Sequence, residues 1–164
     1  MSYLIIAVVV LMVLSPIFWI MPSPKQKRQM QLRQKAMALG LIVKIADLPQ
    51  QHRAKVRQEK AEQGVTYLLP WEVKRKHPEG VEYLLMRDPG DTPSSFDGSA
   101  FAQQMQALMQ AALQQLPDSV VALDYAKPGL SLYWRERGDI EVVSSLHSQL
   151  SDLRKAVLRL ESTL

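Results

Sequence analysis

The strongest constraint on this chain is its start. Tyr3 to Met21 is an unbroken apolar run with no Asp, Glu, Lys, Arg or His, followed by Pro22-Ser23-Pro24 and then Lys25, Lys27, Arg28, Arg33 and Lys35. Nineteen residues in a helix rise roughly 28 Å, close to the ~30 Å hydrocarbon thickness of a bilayer. The run therefore predicts a single transmembrane helix, with Tyr3 and Phe18-Trp19 near the two interfaces. No Lys or Arg precedes the run and no Ala-x-Ala follows it, which argues against a cleaved signal peptide. The first acid is Asp47, so the positive-inside rule predicts an N-terminus outside and a C-terminal body in the cytoplasm.

Charge is divided along the chain. From Lys25 to Lys60 ten Lys/Arg face only Asp47 and Glu59, whereas from Ala61 onward ten Lys/Arg face fourteen Asp/Glu. A basic collar beside a bilayer attracts anionic headgroups by about 1 kcal/mol per residue. The collar Lys25, Lys27, Arg28, Arg33 and Lys35 is thus the expected lipid-facing site. The stretch from Lys25 to Lys60 contains no Phe, Tyr or Trp to stack on bases, so no nucleic-acid partner is expected. The chain has no cysteine, hence no disulfide, thiolate ligand or thiol nucleophile.

The pattern divides the chain into an anchor (1–24), a polar basic juxtamembrane helix (25–40) and a body (41–164). In the juxtamembrane helix Met30 and Met37 form a thin apolar stripe, and Gly40 stops it. Leu41 to Leu48 alternates like a strand; Gln50 to Gln63 is a polar loop or exposed helical turn. Val65-Thr-Tyr-Leu-Leu and Val81-Glu-Tyr-Leu-Leu read as neighbouring antiparallel strands of one long hairpin. Asp88 to Ser99 is a loop, with Asp97 the expected N-cap of a helix from Ser99 to Leu116. Val120–Tyr125 and Leu130–Arg135 flank the turn Lys127-Pro128-Gly129 as two more strands. The fold class is α+β: a small antiparallel sheet with two amphipathic helices below the anchor and the juxtamembrane helix.

Two helix faces suggest docking. On the Ser99–Leu116 helix the polar side carries Gln103, Gln104, Gln106, Gln110, Gln114 and Gln115, with no charge. Such a face meets another polypeptide without desolvating an ion, so Gln103, Gln106 and Gln110 are candidate partner contacts. In the last helix Leu146, Leu150, Leu153, Val157 and Leu160 follow a 4-3-4-3 spacing. This stripe either pairs between chains, giving a homo-oligomer, or covers the sheet of its own domain.

Chemistry-bearing patterns are missing. His52, His77 and His147 are scattered, and neither a phosphate loop, a GxSxG elbow nor a paired acid and base stands out. No enzyme activity, cofactor or metal is expected.

The segment Pro22-Ser23-Pro24-Lys25-Gln26-Lys27-Arg28, after one apolar span and before a basic Gln-rich helix, resembles the YajC family of accessory subunits of the bacterial preprotein translocase. The resemblance covers roughly Tyr3 to Gly40; the family's glycine-rich segment after the basic helix is absent. It implies a single-pass bacterial inner-membrane protein with a protein partner in that membrane and a role in protein translocation. The expected function is therefore a non-enzymatic, membrane-anchored accessory or scaffold protein, the alternative being a surface module that binds anionic lipid.

Overall fold

The computed structural model describes residues 3–6, 8–12, 23–72 and 81–162. The chain divides into two compact units, residues 1–31 and 32–164, each taken by itself.

In the first unit residues 3–6 and 8–12 are helical, and helix α1 (Pro24–Ala38) begins after Ser23. Its start is a capping box. The amide of Ser23 donates to Gln26 Oε1 (2.8 Å) and the amide of Gln26 donates back to Ser23 Oγ (3.3 Å), with Pro24 at the first helical position where a missing N–H is harmless. Among the described residues no helix is long and apolar enough to cross a membrane. The described N-terminal helical residues lie within ten positions, a rise of roughly 15 Å, half of what a span requires. Residues 7 and 13–21 of the apolar run lie outside the described residues. The expected transmembrane helix and the single-pass inner-membrane address and orientation built on it are corrected accordingly, and nothing in the structure supports the translocation role that the family resemblance implied.

The second unit is α+β. Its five-stranded antiparallel sheet is made of β1 (Ile42–Asp47), β2 (Gln63–Pro70), β3 (Tyr83–Met86), β4 (Val120–Ala126) and β5 (Gly129–Trp134), in the order β1-β2-β5-β4-β3. Helix α2 (His52–Val56) is a short exposed piece between β1 and β2. The long helices are α3 (Ala100–Gln115) and α4 (Ile140–Ser162).

Strand alternation places Val65, Tyr67, Leu69, Leu130, Leu132 and Trp134 on one face, where the helices cover them. A bulge between Val120 and Ala122 lets β4 keep Val120, Leu123 and Tyr125 on that same side. From α3 come Ala102, Met105, Met109 and Leu113; from α4 come Val143, Leu146, Leu150, Leu153 and Val157. Leu32 and Ala36 of α1 are also fully buried, one turn apart, while Met30 and Met37 are 54% and 56% exposed. The apolar stripe of α1 thus lies on the other side from the one its methionines marked. The opposite sheet face is partly covered by the β1–β2 connection, where the Leu48 side chain occupies the space a Cβ on Gly64 would need.

The expected hairpin of Val65–Trp71 with Val81–Arg87 is corrected. β2 and β3 resemble each other in sequence, yet β5 and β4 lie between them. β5, buried along both faces, takes the central place and β3 pairs only with β4. The N-cap of α3 is Ser99, whose hydroxyl accepts from the amide of Ala102 at 3.1 Å. Asp97 instead accepts from the amide of Ser99 (3.1 Å). Interaction with the Ser99 hydroxyl, and next the bond from its amide, lower the pKa of the Asp97 carboxyl.

Candidate partner-binding groove

β3 is one edge of the sheet. The bond from the Arg87 amide to Val121 O (2.8 Å) fixes which of its backbone groups face inward: Tyr83, Leu85 and Arg87 bond toward β4, and Leu84 and Met86 face outward. At Leu84 this edge is closed by a side chain. Ser95 Oγ accepts from the Leu84 amide (2.8 Å) and donates to the Leu84 carbonyl (3.1 Å), doing what a sixth strand would do at that one residue. Its neighbour Phe96 stacks on Tyr83 with ring centroids 4.8 Å apart. These two contacts tie the loop 88–99 to the strand. On its far side the loop is tied to α2: Thr92 Oγ1 accepts from the His52 amide (3.0 Å) and Asp91 from the Arg53 amide (3.2 Å).

Between this loop, the β3 edge and α3 runs an open groove of about 600 Å³. Gln106, Gln110 and Gln114 form the helix wall, Pro89, Pro93 and Phe96 belong to the loop wall, and Leu84, Leu85 and Met86 of β3 border the groove between them. Among the described residues no carboxylate lines it, and Arg87 is its one cationic lining residue. That cation is engaged elsewhere. Arg87 Nη2 donates to the carbonyls of Leu113 (2.8 Å), Leu116 (2.9 Å) and Pro117 (3.1 Å), and its Nε donates to Val120 O (3.0 Å). A guanidinium thus satisfies the last carbonyls of α3 and complements the negative end of its dipole. It also ties the end of β3 to the end of α3.

The expected partner residues separate on this geometry. Gln106 and Gln110 line the groove. Gln103 is exposed and donates its Nε2 to Gly98 O (3.0 Å) at the start of the helix. Of the two uses open to the C-terminal heptad stripe, the structure shows the second: Leu146, Leu150, Leu153 and Val157 are buried in the chain's own core and Leu160 packs against it half-buried. These side chains are thus packed within the domain.

The basic collar separates in the same way. Lys25, Lys27 and Arg28 are exposed on the first half of α1 and Lys35 is half-buried. Arg33 is held by the body. Its Nε and Nη2 donate to the two oxygens of Glu136 at 2.8 and 2.6 Å, and Tyr67 Oη donates to Glu136 Oε1 at 3.3 Å. The Glu136 side chain is 2% accessible and that of Arg33 28%. The hydrogen bond to Glu136 raises the Arg33 pKa; burial first, and the Glu136 charge next, raise that of Tyr67. Glu136 lies 103 residues from Arg33 and adopts a left-handed backbone (φ 51°). Nothing in its sequence neighbourhood announces the pair.

On the face of the sheet away from the helices, Asp124 stands opposite Leu84 on β3 and Ser131 on β5. Burial, with a smaller effect from the Glu82 charge, pushes its carboxyl up to about 6. Tyr133 is raised by burial and by the nearby Asp124 and Glu82 charges. Among the described residues no group of three or more His, Cys, Asp or Glu is arranged to hold a metal ion. His77 lies outside the described residues.

Comparison with protein-family models, with curated proteins and with solved structures returned no match.

Proposed function

We propose that this chain is a non-enzymatic scaffold that holds an extended, uncharged segment of a partner protein in the groove between β3 and α3. One observation carries the reading: Gln106, Gln110 and Gln114 repeat every fourth residue along one wall. Four residues of helix rise about 6 Å. Alternate residues of an extended chain recur at about 6.6 Å. A row of amides, each able to donate and accept, therefore matches the repeat of the peptide groups along such a segment. Leu85, on the helix-facing side of β3, and Phe96 supply the apolar surface that its side chains would bury. A charged segment is disfavoured because no free ion in the lining would repay its desolvation.

The test is a selection of random ten-residue peptides on the full chain, with affinities then measured by calorimetry. The selected peptides are expected to be poor in charge, and Gln106→Glu and Gln110→Glu should each weaken them roughly tenfold, about 1.4 kcal/mol. Gln103→Glu, outside the groove, should leave affinity unchanged. Peptides that bind both groove variants as tightly as the parent would refute the assignment.

A further inference from the structure

The two edges of the sheet are treated differently. The β3 edge is short, and Ser95 closes it at Leu84. The β1 edge is six residues long and β-branched, and Ile45 on it is 60% exposed. The bond from the Leu48 amide to Glu62 O (2.8 Å) sets the phase of the β1–β2 ladder. Ile42, Lys44 and Ala46 bond inward to β2, and Val43, Ile45 and Asp47 present their backbone groups outward. Among the described residues no hydrogen bond reaches the outward amides and carbonyls of Val43 and Ile45.

We infer that β1 pairs with β1 of a second copy of this chain, antiparallel about a two-fold axis through Ile45. An antiparallel edge is self-complementary under a two-fold axis, and the phase of β1 leaves few registers. Outward residues must oppose outward residues. Pairing Val43 with Ile45 of the second copy would set the two Lys44 side chains directly opposite each other, a like-charge contact that opposes pairing. A shift the other way brings Pro49, which has no amide donor, into the ladder. The register with Ile45 opposite Ile45 meets neither obstacle. It forms six backbone hydrogen bonds by the antiparallel pattern, roughly two for each of three pairs. It also brings the exposed Ile45 side chains together on the helix side and sets Lys44 opposite Ala46 on the other. Lys44 thus selects the register rather than barring the edge. The product is a continuous ten-stranded sheet whose two β3 edges lie about 43 Å apart, nine spacings of ~4.8 Å. The inference does not depend on what fills the groove.

The test is sedimentation velocity on the full chain over a range reaching tens of micromolar, joined to thiol crosslinking. A concentration-dependent dimer is expected, and Ile45→Lys should raise its dissociation constant at least roughly tenfold by opposing two ammonium groups. The chain has no cysteine, so Ile45→Cys introduces one thiol, and across the axis two such residues have Cα atoms about 5.5 Å apart, within disulfide range. Under mild oxidation Ile45→Cys should crosslink much faster than Ser144→Cys, which is exposed on α4. A monomer at all concentrations, a dimer indifferent to Ile45→Lys, or equal crosslinking of the two cysteine variants each overturns the inference. If Ile45→Lys fails to fold, the crosslinking comparison decides.

Discussion

Replacing Arg33 by methionine keeps an unbranched apolar stem and removes the guanidinium that faces Glu136. The Glu136 carboxylate is 2% accessible and loses two of the three hydrogen bonds it accepts, keeping that from Tyr67. Breaking a buried pair by removing one partner costs about 3–5 kcal/mol, because the remaining ion is desolvated without compensation. The Arg33 side chain is 28% accessible, so water can enter where the guanidinium was. That places the loss near the low end, about 3 kcal/mol, or roughly 10 °C in Tm for a body of this size. Glu136→Gln keeps a hydrogen-bonding partner for Arg33 and should lose less, about 1–2 kcal/mol. The double variant has no buried ion and should be less destabilised than the two single losses added together, by about 2 kcal/mol. Urea denaturation of the four proteins measures this cycle, with unchanged m-values confirming that the folded ensembles are comparable. Additive losses, or an Arg33→Met effect below about 1 kcal/mol, would show the pair behaving as an exposed one, and the account would fail.

Two further outcomes follow from the sheet and its edge. The Asp124 carboxyl, pushed up to about 6, holds its proton more tightly folded than unfolded. Its stabilising contribution is therefore complete below about pH 4 and lost as pH rises through about 6. Asp124→Asn should accordingly stabilise the protein by on the order of 2 kcal/mol at pH 8 and change little near pH 4; equal Tm shifts at both pH values would refute it. Arg87→Met strips the donors from the last carbonyls of α3. It should cost about 2 kcal/mol in urea denaturation and speed amide exchange at the C-terminal turn of α3; an unchanged midpoint would show that water replaces the guanidinium without loss.

Which parts of this molecule were legible in its sequence follows from how local their causes are. The spacing of Phe101, Met105, Leu108 and Ala112 exposes α3 directly, and Lys127-Pro128-Gly129 marks the β4–β5 turn, because both rest on residues within a turn or two. Strand order was not legible. Likeness between Val65–Leu69 and Val81–Leu85 suggested pairing, but neighbours are chosen by which strand can be buried on both faces, and that is β5. The start of α1 was written in Ser23-Pro24-Lys25-Gln26, a capping box hidden by the prolines and charges around it. Arg33 looked like one more collar charge because its partner comes from the far end of the chain. The glutamine wall of the groove stood out through its lack of charge, whereas the Ser95 and Phe96 contacts that shape the facing wall depend on a loop folding back onto β3.

The strand order also governs how the body assembles. β1 pairs with β2 in the first half of the chain, and β3, β4 and β5 pair among themselves in the second. One seam joins them, β2 against β5, where Val65 meets Trp134 and Leu69 meets Leu130. Every pairing within a half closes a shorter loop than the seam does, so the loop-closure entropy is smaller there. Joining the two halves along β2 and β5 therefore carries the largest loop-closure cost of any pairing in the sheet. The Arg33–Glu136 pair joins the same two halves of the chain away from the ladder. It acts as a clasp between two parts of the chain that lie 103 residues apart.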